Sequence, residues 1–216
     1  MVATFLTGCS SDARPPAVRA NSDTPTSSTT AGPKLPAILT SSDEPLTLES
    51  GPTLETLDVF TAANVVAGDL YWSGMSVVTA SGRDPITVLD AEVIVIGGAS
   101  PFNVYWGRDG VDGTPGATPI RPPGDTLPGE PVAMLGGTLP PDEPLVLYAV
   151  ASLDPDSQAG AVVGISLELR SGGQRWSRLV LSPTVLCADK VDVESDACSA
   201  VRDELTATID NLNEGS

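Results

Sequence analysis

The sequence predicts a mainly β protein: an antiparallel sandwich of about seven to nine strands followed by one C-terminal α-helix. Three observations carry that expectation. Short apolar runs with period-two alternation recur between clusters of Gly, Pro, Asp and Ser. The 216 residues include 21 glycines and 20 prolines, a turn-rich composition, yet 41% are hydrophobic, enough for a core. Only after Ser195 does the apolar period lengthen to that of a helix. Strands and helices do not alternate, so a doubly wound parallel sheet is not expected.

In chain order, the folded part is expected to begin near Leu46. Leu57 to Val66 is a short strand signal. Met75 to Ser81 and Ile86 to Ile96 flank the turn sequence GRDP and are expected to pair as a hairpin. In the second of these, Leu89, Ala91, Val93 and Val95 form the inward row, with Asp90 and Glu92 pointing out. Pro131 to Leu135 is another short signal. Leu145 to Leu153 is apolar on both faces, as a central strand covered on both sides would be. Ala161 to Arg170 (AVVGISLELR) places Val163, Ile165, Leu167 and Leu169 on one face and Ser166, Glu168 and Arg170 on the other. Arg175 to Ser182 returns from it, and Gly172 and Gly173 can take the positive φ that a tight hairpin needs. Ala197, Val201, Leu205, Ile209 and Leu212 then form a helical stripe. Ser195 or Asp196 is placed to cap it, and the stripe is expected to pack against the sheets.

Composition narrows the chemistry. Eleven Lys and Arg against 28 Asp and Glu give a net charge of −17, a field that repels nucleic acid and polyanionic surfaces. There is no histidine, so Ser-His-Asp and Cys-His nucleophiles are impossible and the commonest metal ligand is missing. Lys34 and Lys190 are the only lysines, and neither follows a serine by three residues. No phosphate-binding glycine loop occurs. The expectation is a protein that is not an enzyme and holds no cofactor or metal. Carboxylate-based hydrolysis of a glycan is the enzymatic alternative, and it requires a converging acid pair in a cleft.

Gly97 to Glu130 is too long for a simple connection and holds Phe102, Tyr105 and Trp106 beside Arg108, Asp109 and Asp112. Tyr105, Trp106, Arg108, Asp109 and Asp112 are therefore the candidate binding residues, suited to a protein or sugar surface. The competing expectation makes FNVYW an edge strand whose aromatics cover the core. DGVDG, in the same stretch, lacks the ligand spacing of a calcium loop. Trp72 and Trp176 are expected to be core or sheet-face aromatics.

The N-terminal residues Leu6, Thr7, Gly8 and Cys9 (LTGC) resemble a bacterial lipobox. That resemblance implies a diacylglyceryl group on the Cys9 thiol and cleavage before it. The run ahead of it lacks a basic n-region, which is consistent with a start codon upstream of Met1. From Ser10 to Pro45 about half the residues are Ser, Thr or Pro, the composition of a polar tether. A flexible chain of that length spans on the order of 30–40 Å. The organisation expected is a truncated signal and lipobox segment (1–8), a lipidated cysteine and disordered stalk (9–45), the sandwich (46–186), and a tethered C-terminal helix and tail (187–216). Export would leave Cys187 and Cys198 as disulfide partners, since Cys9 is used; in a cytosolic protein all three would be thiols. The layout, with nine Arg to two Lys, is similar to that of uncharacterised lipoproteins of GC-rich Gram-positive bacteria. Met75 to Ile96 resembles Ig-like extracellular modules. The resemblance implies a lipid-anchored protein on the extracytoplasmic side of the cell membrane, with an envelope protein or glycan as the class of partner. A structural subunit of an envelope complex is the alternative.

Overall fold

The structure, a computed structural model, describes residues 35–54, 61–82, 84–108, 120–121 and 132–214. The elements are β1 (Leu46–Ser50), β2 (Thr61–Val65), β3 (Leu70–Ala80), β4 (Ile86–Gly97), β5 (Ala99–Gly107), β6 (Ile120–Arg121), β7 (Val132–Ala133), β8 (Thr138–Leu139), β9 (Pro144–Leu153), β10 (Ala159–Ser171), β11 (Gln174–Ala188) and α1 (Asp196–Glu214). The protein is thus mainly β with one C-terminal helix among the described residues. Of its eleven strands there, β6, β7 and β8 are two residues each.

Two sheets share the core. The first runs β1-β3-β9-β5-β7, with β6 also on β3; the second runs β2-β11-β10-β4-β8. Leu48, Val78, Val104, Leu145 and Leu147 of the first sheet pack with Val88, Val93, Ile165, Leu167 and Val180 of the second in one buried cluster. β9 is the central strand that its uninterrupted apolar run predicts: Leu145 through Ala151 are all buried.

The β10–β11 hairpin forms as expected, with Ser171 opposite Gln174 and positive φ at Gly172 and Gly173. The β3–β4 hairpin does not form. β3 lies in the first sheet, with β1 and β9 as its neighbours, and β4 lies in the second beside β10. The turn between them therefore carries the chain from one sheet to the other. Both edges of β3 are already hydrogen-bonded, which leaves no place for β4. Pairing is not wholly antiparallel either: β2 runs parallel to β11, from Thr61 opposite Thr184 to Val65 opposite Ala188.

Bulges alter two predicted inward rows. In β10 the register shifts between Val162 and Gly164, so Val163 turns to the helix side while Ile165, Leu167 and Leu169 enter the inter-sheet core. In β4 the register shifts opposite Glu168 and Leu169, across Leu89. The inward residues there are Ile86 and Val88 before the shift and Ala91, Val93 and Val95 after it. Asp90 and Glu92 are exposed as expected.

α1 lies on the outer face of the second sheet. Its buried residues, Cys198, Val201, Leu205 and Ile209, pack against Ala161, Val163, Leu179, Leu181 and Val185. Ser195 caps it: its Oγ accepts the Cys198 N–H at 3.4 Å, and its carbonyl accepts the Ser199 N–H at 2.9 Å.

The compact unit starts at Leu35 rather than Leu46. Of residues 35–45, expected in the stalk, 37–39 bridge β11 at Leu179. Leu39 N–H donates to the Leu179 carbonyl and Leu179 N–H donates to the Ala37 carbonyl, both at 2.8 Å. Leu39 is buried in the inter-sheet core, and Asp43 pairs with the Arg178 guanidinium at 3.4 Å. Burying one leucine contributes about 1.5–3 kcal/mol toward the ordering cost of the segment, beside these backbone bonds and the ion pair. In urea denaturation Leu39→Ala is expected to cost about 2–4 kcal/mol. A chain begun at Leu46 should lose at least as much relative to one begun at Leu35. Equal stability of the two chains would place the segment outside the cooperative unit.

Candidate functional site

Period-two alternation decides where the candidate binding residues go. Ala99 to Gly107 is strand β5, so the first third of the long loop is sheet. Its neighbours Tyr105 and Trp106 point to opposite faces. Trp106 is buried in the inter-sheet core with Leu147 and Met134, as expected of an aromatic that covers the core, but β5 is not an edge strand: it pairs with β9 and, over two residues, with β7. Tyr105 lies on the outer face of the first sheet. Arg108, just past the strand, pairs its Nε with a Glu143 carboxylate oxygen at 2.9 Å, and both side chains are largely exposed. Asp109 and Asp112 lie outside the described residues, and so does Cys9. The structure therefore does not bring Tyr105 and Trp106 together as one surface.

The outer face of the first sheet instead assembles an aromatic group from three strands. Trp72 of β3 meets Tyr105 of β5 with ring centroids 5.0 Å apart and planes tilted by 52°. Tyr148 is buried on β9, the strand between β3 and β5, with Val77 and Val146. Such tilted contacts add about 0.5–1.5 kcal/mol beyond the buried area. Gly74 makes room for the group: a Cβ there would lie 2.5 Å from Tyr148 Cε1. Phe102 sits at a β5 bulge between Pro101 and Asn103 and is 60% exposed. Sequence reasoning missed Tyr148, although Val146, Tyr148 and Val150 alternate within a run already read as a strand. Trp176 packs partly buried against the core with Arg178 over its ring, 5.8 Å from the centroid.

Carboxylates do not converge in a cleft among the described residues. Asp90 and Glu168 are directly opposite on β4 and β10, on an exposed face. A cavity of about 600 Å3 beside the N-terminal segment is lined by Ile38, Leu39, Leu48, Gly51 and Leu54 among others, and Glu49 is the one carboxylate among its described lining residues. No three acidic, cysteine or histidine side chains gather as a metal site among the described residues. No helix there is long and apolar enough to cross a membrane.

Cys187, at the end of β11, and Cys198, in the first turn of α1, form a disulfide pair with Cα atoms 6.0 Å apart. Both are fully buried among Val185, Val201 and Leu205. In the chain-entropy picture a link across this separation contributes about 3 kcal/mol. No protein-family model matches the chain, and no curated protein matches it.

Two measurements follow from this geometry. Gly74→Ala should displace the Tyr148 ring, costing about 1–3 kcal/mol and changing the near-UV circular dichroism of Trp72 and its neighbours. An unchanged spectrum would mean the ring does not cover Gly74. Alkylation of the denatured, unreduced and unlipidated chain should label one thiol, Cys9, and three after reduction. Three labels without reductant would exclude the disulfide in solution.

Proposed function

We propose that this chain is a lipid-anchored, extracytoplasmic interaction module: Cys9 holds it to the cell membrane, and a polar tether presents an Ig-like β-sandwich to a protein or glycan of the envelope. The observation that carries the reading is the cysteine arithmetic. Three cysteines occur, two of them are placed as a buried disulfide, and the third stands at the end of LTGC. A disulfide belongs to an oxidising compartment, and a lipobox cysteine needs no partner. Two acyl chains would hold the protein firmly, since each buried CH₂ contributes about 0.8 kcal/mol and one chain alone is marginal.

The Ig-like assignment draws support from strand order. With β2 and the two-residue strands set aside and the other seven lettered along the chain, β1-β3-β9-β5 in one sheet and β11-β10-β4 in the other correspond to the ABED and GFC order of Ig-like domains. Tyr71 adds a second likeness, because its hydroxyl accepts the Val66 N–H at 2.7 Å where the chain passes from β2 into β3. A tyrosine that bonds back to upstream backbone at such a crossing is a Greek-key device. The chain departs from antibody domains in linking strand to helix rather than sheet to sheet. A binding role is favoured over hydrolysis because the Asp90–Glu168 pair stands on an open face.

Metabolic labelling with a fatty acid should mark the wild type and not Cys9→Ala; equal label in both would end the anchor reading. With residues 35–216 as bait on envelope extract, Phe102→Ala and Tyr105→Ala should weaken capture about tenfold if the outer face of the first sheet is the contact. Undiminished capture by both variants would move the contact elsewhere. Stoichiometric co-purification with one envelope complex would favour the assembly-subunit role.

A further inference from the structure

We infer that the domain is built to resist a pull on its N-terminal tether, because the two N-terminal segments that meet β11 among the described residues both do so in parallel. The first is residues 37–39. Ile38 bridges Leu179 in parallel, through the two 2.8 Å backbone bonds at Leu179. The Asp43–Arg178 ion pair and the buried Leu39 side chain reinforce it. The second is β2, which runs parallel to β11 over five residue pairs. Its C-terminal end is held by the Tyr71 hydroxyl on Val66 N–H.

Parallel pairing fixes the direction in which these bonds meet a load. Tension on the tether draws residues 37–39, and then β2, toward their own N-terminal ends. That is toward the Gln174 end of β11. A restraining load from the C-terminal side reaches β11 at its other end. Once α1 is drawn off the sheet, the Cys187–Cys198 disulfide still joins it to the end of the strand, so Cys187 is the point of entry and residues 188–197 are bypassed. The two loads oppose each other along the strand axis. Hydrogen bonds perpendicular to that axis are sheared together instead of being opened one at a time. Mechanical lifetime is set by the unfolding rate along the imposed direction, not by equilibrium stability. The antiparallel β10–β11 hairpin supplies the contrast, because its tip at Gly172 and Gly173 sits at the same end of β11 as the tether exit. A load between tether and hairpin tip peels the same bonds singly.

The use of this device rests on the anchor at Cys9, but its existence does not. Lipid labelling tests the first and force measurement the second. The full, unlipidated chain is held by the native Cys9 thiol and by a second handle, either Ser216→Cys or Gln174→Cys, and stretched with optical tweezers. Urea denaturation of both variants checks that their equilibrium stabilities match; Arg175→Cys replaces Gln174→Cys if they do not. The rupture force of the domain should be at least about twofold higher with the C-terminal handle than with the hairpin handle. Equal forces, or a higher force with the hairpin handle, would overturn the inference.

Discussion

The second sheet must bury both of its faces, and one inserted residue makes that possible. Its inner face meets the first sheet and its outer face meets α1. A strand of strict alternation with one apolar row can serve only one of them. β10 serves both because Val163 is bulged out of register: Ala159, Ala161 and Val163 face the helix, and Ile165, Leu167 and Leu169 face the inter-sheet core. Gly164 is the residue the bulge tolerates. A Cβ there would come within 2.3 Å of the Val180 carbonyl oxygen, a backbone atom that cannot swing aside. β11 answers on its side with Ser182 and Pro183, where the register between Val162 and Gly164 opens and a missing N–H leaves no rung broken.

Polar groups, not apolar ones, fix how the two sheets meet beside that bulge. Ser73 of β3 reaches Ser182 Oγ at 3.1 Å and Thr184 Oγ1 at 3.0 Å, and Ser76 Oγ donates to the Leu181 carbonyl at 2.8 Å. All four hydroxyl residues are buried. Each bond adds only about 1 kcal/mol net, but leaving one of these groups unpaired costs more. Sliding β3 along β11 would break several at once, so the network sets the register of one sheet over the other. In the sequence these are merely polar residues at strand positions. Alternation marks them as wet, and nothing local reveals the partner more than a hundred residues away.

That contrast explains what was legible. The hairpin at Gly172–Gly173, the covered strand at Leu145–Leu153 and the Val201–Leu205–Ile209 stripe are local patterns, and the structure contains each of them. The crossing between β3 and β4 was misread because GRDP reports a turn, not which sheet receives the next strand. Residues 35–45 were assigned to the tether because two apolar residues, Ile38 and Leu39, carry their docking within a Pro- and Ser-rich context. At the candidate site, composition gathered Tyr105 and Trp106, and alternation separated them. Tyr148 joins Tyr105 only through the β5–β9 pairing, where the two residues stand directly opposite.

The position of the disulfide follows from what α1 lacks. The helix has Asp196 in its first turn, which suits the positive end of its dipole, but no basic residue in its last turn. Thr206 and Thr208 return their hydroxyls to the carbonyls four residues back, a bond that weakens a helix slightly. Asp203, Glu204 and Asp210 add like charge to a chain that is already strongly acidic. Intrinsic propensity and surface charge therefore give this helix little, and a single apolar stripe must hold it. A link in the first turn restricts where that stripe can go before any of it is buried, and Ser195 orders the same turn from the other side. The outer face of the second sheet stays covered because the constraint is placed where the helix begins, at the strand end it has just left.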